Sequence, residues 1–81
     1  MIVHAKVGRG PWFRFSTQSK DPARIAEEVL AYALVPKGES RVRVQLRREG
    51  SDGIAWFVLR RGRWVVEERG GSGPWDWEVA P

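Results

Sequence analysis

Residues 41–48 read RVRVQLRR, and up to Arg47 the alternation has no fault. Successive side chains of an extended chain point to opposite faces, so Val42, Val44 and Leu46 share one side and Arg41, Arg43, Gln45 and Arg47 the other. Such a segment is a half-buried strand: one side needs a core, and the other is left to water or a ligand. What the rest of the chain must supply is a cover for the apolar side.

Three further stretches follow the same period of two. From Ile2 to Val7, Val3, Ala5 and Val7 oppose Ile2, His4 and Lys6. After the turn residues GRGP at 8–11, Phe13 and Phe15 oppose Trp12, Arg14 and Ser16, so residues 2–17 read as a β-hairpin. EGSDG at 49–53 turns the chain into IAWFVLR, and Arg61-Gly62 reads as a two-residue hairpin loop into RWVVEE. That loop sets Leu59 opposite Trp64 and Phe57 opposite Val66, with Ile54, Trp56, Val58, Arg60, Arg63, Val65 and Glu67 on the other side; a one-residue slip would exchange the two sets.

One segment breaks the period. Asp21 is placed as N-cap and Pro22 as first helical residue, and Ile25, Ala26, Val29, Leu30, Ala33 and Leu34 recur at three- and four-residue spacing. A helix is expected over about residues 22–35, with Pro36 and Gly38 ending it.

The order is therefore β-β-α-β-β-β, an α+β fold of one antiparallel sheet of about five strands with one helix packed on one face. Residues 1–69 form the domain. GGSGP at 70–74 reads as a flexible hinge, and residues 75–81, in which Trp75, Trp77 and Val79 alternate with Asp76 and Glu78, as an acidic aromatic segment. Two placements of that segment are open: a last edge strand, or a strap that folds over the basic face and competes with its ligand.

At 81 residues the chain can bury only about 60% of its unfolded surface, so some of the rings of its five Trp, three Phe and one Tyr belong to the core. No cysteine is present, which excludes disulfides, thiolate metal sites and a cysteine nucleophile, and fits a cytoplasmic protein. The N-terminal apolar run is too short for a signal peptide, and no stretch approaches the ~20 apolar residues of a membrane span. Charge is uneven: +4 over residues 1–20, −2 over 21–36, +5 over 37–63 and −3 over 64–81. That asymmetry points to a polyanion or an acidic protein surface as partner of the basic part.

With the helix over the side that carries Val3, Phe13, Phe15, Val42, Val44, Leu46, Phe57, Leu59 and Val66, the opposite face is expected to hold His4 and a set of cations and indoles. Lys6, Arg14, Arg41, Arg43, Arg47, Arg60 and Arg63 are the candidate phosphate contacts, and Trp12 and Trp56 the candidate stacking surfaces. Guanidinium groups pair with phosphates and exposed rings stack on unpaired bases, so this face suits single-stranded RNA or DNA. RNA-binding sheet domains are built on the same principle, but the RNA-recognition-motif signature and its βαββαβ order are both absent. The alternative is a protein-binding module, a small inhibitor, a subunit or a homodimer joined through a sheet edge, since exposed Trp and Arg also dominate protein interfaces. Catalysis, a metal and a cofactor are not expected: there is one histidine, His4, and no phosphate-loop glycine pattern. The best enzyme reading that can be assembled is a ribonuclease with His4, Glu67 and Arg63 as base, acid partner and phosphate clamp.

Overall fold

The parity of the apolar residues sets which side of each strand meets the helix. The computed structural model describes residues 1–33, 35, 38–60 and 64–72. The elements are β1 (Ile2–Val7), β2 (Phe13–Ser16), α1 (Pro22–Tyr32), β3 (Arg41–Arg48), β4 (Ile54–Arg60) and β5 (Val65–Ser72). Five strands form one antiparallel sheet in the order β2-β1-β3-β4-β5, with the single described helix on one face, as the sequence implies.

Helix α1 begins where its cap is. The Asp21 side chain accepts from the Ala23 N–H at 3.1 Å, Pro22 takes a first-turn position that needs no donor, and Ser19 Oγ in turn accepts from the Asp21 N–H at 3.2 Å. Ile25, Ala26, Val29 and Leu30 then meet Val3, Ala5, Val42, Val44, Leu46, Ala55, Phe57 and Leu59 in one core. Phe13, Phe15, Val7 and Val66 pack around its margin, so the apolar side read from the sequence is the covered side. The helix ends at Tyr32, about a turn sooner than expected, because a proline disfavours helical backbone at the residue before it and its ring clashes with the carbonyl four residues back. Ala33 is already extended, its N–H held by the Val29 carbonyl at 2.8 Å. Leu34 and Pro36 lie outside the described residues.

The β3–β4 connection uses a β-turn in which the Ser51 N–H donates to the Arg48 carbonyl at 3.0 Å. Gly50 there has φ +86°, a conformation L side chains rarely adopt.

Strand β5 departs from the expected register. Leu59 pairs with Val66 and Arg60 with Val65, a shift of two residues from the pairing that a loop at Arg61-Gly62 would impose. Trp64, freed from the ladder, packs against the core. Because the side-chain period is also two, Val66 stays on the core side and Val65 on the open side. A bulge follows at Val58/Leu59 and inserts one extra residue into β5, so that Glu68 faces Val58. The Arg61-Gly62 loop itself lies outside the described residues.

Gly70, Gly71 and Ser72, expected to open a hinge, are ladder residues paired with Trp56, Ala55 and Ile54. Here the missing side chains are what admits the strand. A Cβ on Gly70 would sit 2.5 Å from Cζ2 of Trp56, and one on Gly71 would sit 2.8 Å from the Ile54 carbonyl oxygen. The rest of the expected hinge and the segment at 75–81 lie outside the described residues.

Candidate nucleic-acid interface

The sheet face opposite α1 is covered by no described element. Cross-strand partners share a face, so the ladder arranges its side chains in rows. One row runs Lys6, Gln45, Trp56, Gly70 across β1, β3, β4 and β5, and the next runs Arg14, His4, Arg47, Ile54 across β2, β1, β3 and β4. Arg43 stands opposite Val58, and Arg41 opposite Arg60. Lys6, Arg14, Arg41, Arg43, Arg47, Arg60, Trp12 and Trp56 thus come together on one face, and Arg63 lies outside the described residues.

Two tryptophans each carry an arginine. Cζ of Arg43 lies 4.7 Å from the ring centroid of Trp56, and Cζ of Arg47 lies 5.5 Å from that of Trp12. At such sites a cation–π contact contributes about 0.5–1 kcal/mol, so each guanidinium is held weakly. Trp12 is 38% exposed, whereas Trp56 is half-buried, its indole lying over Gly70.

Among the described residues three carboxylates also reach this face: Glu68, in the row of Arg43 and Val58, and two that pair with arginines. Oε1 of Glu49 accepts from Nε of Arg14 at 3.2 Å and stands 3.4 Å from Nε2 of His4. Oε2 of Glu67 lies 2.9 Å from Nε of Arg41. Both arginines are more than 60% exposed, so each pair contributes about 0–1 kcal/mol and yields readily to a competing anion. Among the described residues Lys6, Arg43, Arg47 and Arg60 have no carboxylate partner.

These positions correct the enzyme candidate. Strands β3 and β4 separate β1 from β5, so His4 and Glu67 stand three strand spacings apart across the sheet, roughly 14 Å, and His4 is in the row of Ser72 at the far end of β5 from Glu67, so the two cannot act on one bond. The carboxylate beside His4 is Glu49, which the sequence reading passed over. A signal was present: residue 49 continues the odd-numbered outer side of 41–47 past the strand end. Among the described residues no three His, Asp or Glu side chains are grouped to hold a metal ion, and no helix is long and apolar enough to cross a membrane.

Comparison with protein-family models, with curated proteins and with solved structures found no match.

Proposed function

We propose that the Arg/Trp sheet face binds single-stranded nucleic acid, and that the protein acts by binding rather than by catalysis. The observation that supports this best is the pairing of Arg43 with Trp56 and of Arg47 with Trp12 on one face that no described element covers. Each pair holds the two groups a nucleotide needs, a guanidinium for the phosphate and an indole for the base. A base stacking on an indole gains about 1–3 kcal/mol, more than the about 0.5–1 kcal/mol of the arginine it displaces. The displaced guanidinium is then free for the adjoining phosphate. Only an unpaired base can offer its face in this way, which is why a single strand is favoured over a duplex.

The test is a titration of a labelled twelve-nucleotide RNA across a salt series, with the matching duplex as control. Single-strand binding should weaken with salt at a slope of about −0.7 per phosphate contact. Trp56→Ala should weaken binding and leave that slope unchanged. No binding at low ionic strength, or equal affinity for the duplex, overturns the proposal.

A further inference from the structure

Gln45 interrupts the cationic side of β3. It lies between Arg43 and Arg47, is half-buried, and faces Lys6 on β1 and Trp56 on β4. Among the described residues its carboxamide has no hydrogen-bond partner. The neighbouring indole leans away from it onto Gly70, leaving the surface above Gln45 bounded by Lys6 on one side and the ring on the other.

We infer that Gln45 reads the edge of one base, and that the base it fits is adenine. This rests on the proposed binding of single strands by the same face. A carboxamide presents an acceptor oxygen beside a two-proton donor, and Gln pairs bidentately with N6 and N7 of adenine in this way. A base laid over Trp56 turns an edge toward the next position in its row, which is Gln45. An arginine at position 45 would add a charge that strengthens binding to any sequence through the phosphates, whereas a neutral amide adds no such charge and strengthens only the sequence whose base it matches. Lys6, a donor without an acceptor, closes the far side of the position and suits a phosphate or a base oxygen.

The experiment compares A8 and U8 RNA on the wild type, Gln45→Leu and Gln45→Thr, with an A8 strand in which 7-deazaadenine replaces adenine. The wild type should prefer A8 to U8 by about tenfold, within the range of one bidentate pair. Both variants should lose that preference while keeping U8 affinity within about twofold and the salt slope unchanged. Removing N7 should weaken wild-type binding and leave the two variants unaffected. If the A8 preference survives in both variants, or N7 removal weakens all three proteins alike, base reading by Gln45 is overturned and single-strand binding stands. If neither oligonucleotide binds the wild type at low salt, both proposals fall.

Discussion

Gly70 faces Trp56 across the β4–β5 ladder, and the indole fills the space a side chain at Gly70 would need: a Cβ there would lie 2.5 Å from Cζ2 and 2.9 Å from Nε1. A glycine inside a strand is weak, and a cross-strand aromatic ring that covers it restores contact on the bare backbone. The same contact orients the ring that the proposed interface uses.

Gly70→Ala should therefore destabilise the domain and tip the indole off the sheet. Replacing glycine stiffens the unfolded chain and returns about 0.4–1 kcal/mol, but overpacking costs about 1–3 kcal/mol, so the net is a loss. Gly71→Ala should cost more. Its Cβ would meet the Ile54 carbonyl oxygen at 2.8 Å and Cα of Ala55 at 3.3 Å, backbone atoms that no rotamer change can move. Denaturant midpoints rank the two variants, and the Trp56 indole N–H resonance reports the ring. An unchanged resonance in Gly70→Ala removes the contact from the account.

These two glycines also mark where sequence reasoning stops. Strands β1, β3 and β4 announce themselves by parity, and Asp21-Pro22 by capping chemistry, because in each case the signal lies in the segment itself. Gly70-Gly71-Ser72 has no such signal. What makes it a strand is Trp56, fourteen residues earlier, so the local reading gives a hinge. The same distinction divides the candidate site. That Arg41, Arg43 and Arg47 share a face follows from spacing alone. That Glu49 rather than Glu67 sits beside His4 depends on the order β2-β1-β3-β4-β5, which no single stretch contains.

Thr17 ties the hairpin to the helix. It is the one buried polar residue among those described; its hydroxyl donates to Oε1 of Glu28 at 2.9 Å and accepts from the Ser19 N–H at 3.0 Å. Thr17→Val keeps the shape and removes both bonds, leaving a partly buried donor unpaired, at a cost of about 1–3 kcal/mol. Asp21→Ala, which removes only the cap, should cost about 1 kcal/mol. Thermal unfolding of both variants checks the order. A Thr17→Val protein as stable as the wild type contradicts it.

Arg43 has opposed roles in the proposed binding, since it attracts phosphate and also covers Trp56. Arg43→Gln should flatten the salt slope by about 0.7 and weaken binding at low salt. At high salt, where phosphate attraction has faded, the uncovered indole should make the variant two- to fivefold tighter, the equivalent of about 0.5–1 kcal/mol of cation–π contact no longer broken. The two plots of log K against log salt should cross. Parallel lines would mean that Arg43 stays on the ring when ligand binds.

Glu49 makes the converse case. Its carboxylate occupies Arg14 and stands beside His4, so an incoming phosphate has to displace an anion already in place. Arg14 is 65% exposed and Glu49 46%, which keeps the pair weak and replaceable. Glu49→Gln removes the competing charge and leaves a neutral amide that donates to phosphate oxygens. It should bind single strands more tightly at low salt and steepen the slope by up to about 0.7 as Arg14 becomes a full phosphate contact. Stability should change by less than about 1 kcal/mol, because only an exposed pair is lost. Glu67→Gln repeats the test at Arg41, on the far side of the face, where Oε2 lies 2.9 Å from Nε. If the ligand runs across the whole face, both variants tighten binding and their effects add, since the two pairs share no residue. If Glu49→Gln alone tightens it, the path is confined to the rows of Arg14 and Lys6; if neither does, Arg14 and Arg41 are surface charges and the phosphate contacts among the described residues reduce to Lys6, Arg43, Arg47 and Arg60.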